Sequence, residues 1–111
     1  MTPFRLLLAT IFVAILGYTA VVVQNHGLGL LAVFFGDMAV MGWPGQFNLD
    51  FMCMLTLSGL WVAWRHGFGA TGIALGLVAL FGGALFLSLY LLIESVRARG
   101  DVRALLLGSR A

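Results

Sequence analysis

Long apolar runs separated by short polar breaks dominate the chain and predict helices that cross a membrane. The first run extends from Phe4 to Val23 and ends at the polar residues 24–27. At a rise of about 1.5 Å per residue this run makes a helix of roughly 30 Å, which is one hydrocarbon thickness. The pattern therefore predicts a first transmembrane helix over residues 4–23.

Two further apolar runs, Leu49–Trp64 and Ala70–Ile93, predict a second and a third transmembrane helix. The second helix would be only about 24 Å long, so it needs interfacial residues to complete its crossing. Trp61 and Trp64 supply an aromatic belt at its end, and Arg65 can reach the headgroups beyond them. The third run is long enough to span with some tilt. The short break between them predicts a tight antiparallel helix pair.

A shorter run, Leu28–Met41, would make a helix of only about 21 Å, a length more typical of interfacial or buried segments. Asp37 would add about 2.5–3.5 kcal/mol to the free energy of insertion if it had to lie deep. We therefore expect a short interfacial helix. Its small residues should face the bundle, and they are Gly29, Ala32, Gly36 and Ala39. A fourth transmembrane helix is the alternative.

The end of the chain predicts a short amphipathic tail over residues 101–107. Gly100 breaks the third helix, and Asp101 can cap a new one. Val102, Leu105 and Leu106 share a face opposite Arg103 and Arg110, a pattern typical of a helix that rests on a membrane. The fold class is thus an all-α integral membrane bundle, one domain over residues 1–111, with three transmembrane helices and a short interfacial helix.

Composition excludes a soluble protein. Hydrophobic residues make up 62% of the chain and charged residues 9%, whereas soluble domains carry about 25% charged residues. All six basic residues are arginines at predicted helix ends, which suits anionic lipid headgroups. No basic face with interleaved aromatic residues exists, so we expect a lipid bilayer as partner and no nucleic acid.

The arginine distribution predicts the orientation in the membrane. Four arginines follow the third run, namely Arg97, Arg99, Arg103 and Arg110. The positive-inside rule therefore places the C-terminus in the cytoplasm of a multipass inner-membrane protein, which we expect to be bacterial. Three crossings put the N-terminus outside, and four put it inside. The short length of Leu28–Met41 favours three.

Small residues recur along the third run at spacings of three and four and predict a close helix contact. They are Gly69, Gly72, Gly76, Ala79 and Gly83. Such residues let helix backbones approach one another inside a membrane. The stripe should pack against the other helices of the monomer. A homo-oligomer or a partner membrane subunit is the alternative.

One set of polar residues is a candidate functional cluster. In a three-helix arrangement these residues would lie at the same membrane face: His26, Asp37, Asn48, Asp50, Tyr90 and Glu94. A histidine with two carboxylates could bind a divalent metal or transfer protons. Zinc would usually need a third or fourth nitrogen or sulfur ligand, however, and His66 is expected at the opposite face. We therefore assign no catalytic residue, no metal and no cofactor.

Asp50 also has a structural interpretation. Pro44–Gly45 should form a turn, and Asn48 should cap the second helix, which places Asp50 in the first turn. Free backbone N–H groups and the helix dipole favour an anion there by about 0.3–1 kcal/mol. This carboxylate is then expected to be structural.

The arrangement of short motifs resembles small three-helix bacterial membrane families that are described only as domains of unknown function. The matching residues are His26, Gly27, Asp50, Trp64, Arg65, Gly82, Gly83 and Tyr90. In these families the second helix opens with an aspartate and closes with tryptophan and basic residues, and the third carries glycines. The resemblance implies a three-helix fold and no activity.

The sequence predicts a small multipass membrane protein that is not an enzyme. The favoured interpretation is an accessory or assembly subunit of a membrane complex, or a small oligomer. One alternative is an oligomeric transporter of small molecules or ions. Another is a membrane enzyme or cofactor-binding protein that uses His26, Asp50 and Glu94.

Overall fold

The computed structural model describes residues 2–111, and within that range every regular element is a helix. The elements are α1 (Thr2–His26), α2 (Leu30–Val40), α3 (Trp43–Arg65), α4 (Ala70–Arg97) and α5 (Val102–Leu107), followed by a 3₁₀ turn (Gly108–Arg110). By length and composition alone, three of them could cross a membrane, namely α1, α3 and α4. The all-α class and the three long apolar helices are thus confirmed.

The start of α3 differs from the prediction. The helix begins at Trp43, with Pro44 in its first turn. Backbone N–H groups in the first turn have no partner within the helix, so the proline costs no hydrogen bond there. Pro44 and Gly45 therefore form no turn. Asn48 is not a cap, because its side chain lies in the second turn and donates to the Phe34 carbonyl at 3.1 Å. For the same reason Asp50 lies beyond the first turn, and its side chain is exposed.

The helix α2 packs on the first half of α3 with the face opposite to the predicted one. Gly45 is buried against the backbone of Asp37 and Met38, so close that an added Cβ would overlap the Asp37 carbonyl oxygen. The small residues of α2 are exposed, and Gly36 has no neighbouring atom within 4 Å of an added Cβ. The prediction that they face the bundle was wrong. The close approach of α2 to α3 depends on Gly45 of α3 instead.

A reversal at Gly83 divides α4 into two limbs, residues 70–82 and 84–97. Gly83 has φ 56° and ψ −144°, a conformation that is essentially restricted to glycine. Gly76 in the first limb lies against Gly59 of α3, whereas Tyr90 in the second limb hydrogen-bonds to Arg65. In a straight helix Tyr90 would lie about 21 Å beyond Gly76, toward the start of α3. The limbs therefore run antiparallel, and the expected straight crossing over residues 70–93 is a helical hairpin.

The reversal also brings the two ends of the chain together. The Arg5 side chain donates to the Ser95 hydroxyl and carbonyl at 3.1 and 3.0 Å, which places the first turn of α1 beside the end of α4. Leu8 is buried, and Phe12 and Ile15 are half-buried, so the first half of α1 packs along α4. The described N-terminal residues and the C-terminal tail lie at one end of the bundle. Three straight crossings would put them at opposite ends.

Candidate functional site

The arginines of the chain gather at one end of the bundle, which we call the arginine end. Arg5 binds Ser95, Arg65 closes α3, and Arg97 closes α4. Arg99, Arg103 and Arg110 belong to the tail that follows. Among residues 2–111, two acidic side chains lie at this end, Glu94 and Asp101. The other two, Asp37 and Asp50, lie on α2 and on the first half of α3.

Arg65 is the centre of a buried polar cluster at this end. Its side chain is only 5% exposed and forms an ion pair with Glu94, at 3.2 Å between Nη2 and Oε2. Its Nη1 donates to the Tyr90 hydroxyl at 3.0 Å. Its Nε and Nη2 donate to the carbonyls of Leu105 and Ala104 at 2.6 and 3.2 Å. Every nitrogen of the guanidinium is therefore engaged, as a buried cation requires.

Tyr90 connects Arg65 to His66, and we call Arg65, His66, Tyr90 and Glu94 the Arg65 cluster. The Tyr90 hydroxyl lies 2.5 Å from His66 Nε2. Since the phenol oxygen accepts from Arg65, its O–H is free to donate to a neutral His66. The Tyr90 ring stacks on Phe86 with centroids 5.5 Å apart. Phe86 thus holds the ring, and the hydroxyl links the end of α3 to the second limb of α4.

The C-terminal tail, residues 101–111, packs over the Arg65 cluster through its backbone carbonyls and the Arg110 side chain. Asp101 accepts from the backbone N–H of Arg103 at 3.1 Å, which confirms the predicted cap. Trp61 Nε1 donates to the Leu106 carbonyl at 3.2 Å. Arg110 Nε donates to the Trp64 carbonyl at 2.8 Å, and its guanidinium lies 4.8 Å from the Trp64 ring centroid. These contacts of Trp61 and Trp64 hold the tail on α3.

The structure does not bring the predicted polar cluster together. Tyr90 and Glu94 lie at the arginine end, whereas Asn48 binds α2 near the other end of α3. His26 and Asp50 are exposed, and Asp37 is half-buried. The prediction of one shared face was wrong because the reversal at Gly83 carries the second limb of α4 back. Within residues 2–111, no group of three histidine, cysteine or acidic side chains is placed to hold a metal.

Sequence reasoning missed Arg65 and His66 as members of the buried cluster. Arg65 was expected to extend past the interface, and His66 was expected to lie apart from Tyr90. The signal that could have found them is the glycine pair 82–83, which permits a reversal in the middle of an apolar run. With that reversal, Tyr90 and Glu94 return to the level of Arg65.

Most residues of the glycine stripe of α4 pack within the monomer, as predicted. Gly72 and Gly76 are buried against Ala63 and Gly59 of α3, and Ala79 is fully buried. Gly69 is exposed before the first turn of the helix, and Gly83 is the point of reversal. The stripe thus holds the first limb of α4 on α3.

No family model, curated protein or solved structure matches this chain. The resemblance to small three-helix membrane families stays a prediction.

Proposed function

We propose that this protein is an accessory or assembly subunit of a membrane complex and not an enzyme. The observation that carries the proposal is the second half of α1. All residues from 16 to 26 are exposed, because the hairpin of α4 ends at Gly83 and reaches only the first half of α1. An added Cβ at Gly17 would have no neighbour within 4 Å. An apolar half-helix with a small residue on its surface can accept another transmembrane helix.

The Arg65 cluster supports a structural role for the buried polar residues. Its donors and acceptors bind one another and the backbone of the tail, at 2.5–3.2 Å. A catalytic group must instead reach a substrate atom. The cluster is therefore better suited to hold the tail in place than to perform chemistry.

The test is purification of the tagged chain from native membranes in mild detergent. We expect another membrane protein, or further copies of this chain, to co-purify in fixed stoichiometry. Gly17→Leu should abolish this association without changing the thermal stability of the monomer. Gly36→Leu is the matched control, because it adds the same side chain to a helix surface that is equally open. Monomeric wild type, or equal association of both variants, would contradict the proposal.

Orientation in the membrane gives a separate prediction. The positive-inside rule puts the arginine end in the cytoplasm. Both chain ends should therefore lie in the cytoplasm, because the bond from Arg5 to Ser95 holds the first turn of α1 at the arginine end. Single cysteines at Thr2 and Ala111, in a Cys53→Ala background, should resist a membrane-impermeant thiol reagent on intact cells. Both should react after the membrane is permeabilised. Labelling of position 2 alone on intact cells would indicate that the chain ends lie on opposite faces.

A further inference from the structure

We propose that the arginine end binds the headgroups of anionic phospholipids through the guanidinium groups of Arg99 and Arg103. Both side chains are exposed, and among residues 2–111 neither forms a side-chain hydrogen bond or an ion pair. The other four arginines are used within the chain. Arg5 binds Ser95, Arg65 binds its cluster, Arg97 pairs with Glu94, and Arg110 binds Trp64.

The excess of arginines over acidic side chains at this end favours the binding of an anion. Glu94 is shared between Arg65 and Arg97, at 3.2 and 3.3 Å. Asp101 accepts the backbone N–H of Arg103 as a helix cap. Among residues 2–111, neither carboxylate forms an ion pair with Arg99 or Arg103. A phosphate suits them because a guanidinium donates two parallel hydrogen bonds to its oxygens.

The surroundings of the two arginines point to a lipid as the source of that phosphate. Leu105 of α5 is buried against the bundle, whereas Val102 and Leu106 are 56% and 51% exposed. Trp61 binds the tail at the same level. Exposed apolar residues on a short amphipathic helix, beside interfacial tryptophan, are typical of the headgroup region of a bilayer. The phosphate of a phospholipid can accept hydrogen bonds from the two arginines, and its acyl chains can cover the exposed apolar residues.

The test compares the thermal stability of the full chain in two lipids. We expect phosphatidylglycerol added to detergent-solubilised protein to raise the unfolding midpoint by roughly 5–10 °C over the same amount of phosphatidylcholine. The double variant Arg99→Gln, Arg103→Gln should lose most of that difference while unfolding normally in phosphatidylcholine. The double variant Arg99→Lys, Arg103→Lys should keep only part of it, because lysine retains the charge but cannot donate two parallel hydrogen bonds to one phosphate. High salt should reduce the wild-type difference.

Three results would overturn the proposal. An undiminished difference in the glutamine variant would assign lipid binding to other groups. An equal rise with inorganic phosphate in place of phosphatidylglycerol would indicate a site for free anions. A glutamine variant that is already destabilised in phosphatidylcholine would show that these side chains serve the fold itself.

Discussion

Replacing Gly76 with leucine is expected to destabilise the bundle strongly. A Cβ at this position would lie 2.8 Å from the carbonyl oxygen of Gly59 and 3.2 Å from the Ala63 Cβ. The nearer atom belongs to the backbone of a packed helix, so it cannot move aside without separating α3 from α4. Overpacking of a packed contact typically costs about 1–3 kcal/mol and occasionally more, which is a large part of the stability of a small protein. Thermal unfolding in detergent, followed by circular dichroism, measures the loss.

The matched control is the same substitution at Gly17, where an added side chain meets no atom within 4 Å. Gly17→Leu should unfold at the temperature of the monomeric wild-type chain. Leu77→Ile, on the exposed side of the first limb of α4, should also be tolerated. Equal stability of Gly76→Leu and Gly17→Leu would mean that the glycine stripe does not face α3.

Replacing Arg65 with glutamine is expected to destabilise the protein and to release the tail. The change removes the Glu94 ion pair, the bond to Tyr90 and both donors to the tail carbonyls. Breaking a buried ion pair from one side costs about 3–5 kcal/mol, because the remaining charge stays buried. Two measurements test this expectation, namely thermal unfolding and the rate of trypsin cleavage after Arg103.

Arg97→Gln is the control, since it removes the other cation that pairs with Glu94. The Arg97 side chain is 72% exposed, and exposed ion pairs contribute about 0–1 kcal/mol. This variant should keep both its stability and its slow tail cleavage. If the two variants behave alike, the tail is not held by Arg65.

The parts of the fold that depend on local pattern could be predicted from the sequence. The run from Phe4 to Val23 lies within α1, and the run from Leu28 to Met41 contains α2. The spacing of Gly72 and Gly76 predicted a close helix contact, because small residues at intervals of three and four line one helical face. The aspartate after Gly100 predicted the cap of α5.

The reversal of α4 could not be predicted from hydropathy. Both limbs are apolar, and the reversal between them lies at Gly83, next to Gly82 and Ala84, so no polar residue marks it. A turn inside a membrane needs a backbone conformation that glycine alone adopts easily, and sequence shows only that glycine is present. This one conformation decides whether Tyr90 and Glu94 lie beside His26 or beside Arg65. The error in the predicted polar cluster follows from it.

The distance between the two ends of α4 tests the hairpin most directly. Spin labels on cysteines at Ala70 and Val96, both exposed, can be measured by pulsed electron resonance in a Cys53→Ala background. A straight helix would separate these positions by about 39 Å. Adjacent antiparallel limbs lie about 8–10 Å apart, so the hairpin predicts a label separation below about 25 Å, allowing for the label linkers. A distance near 39 Å would contradict the reversal at Gly83 and, with it, the gathering of the arginines at one end.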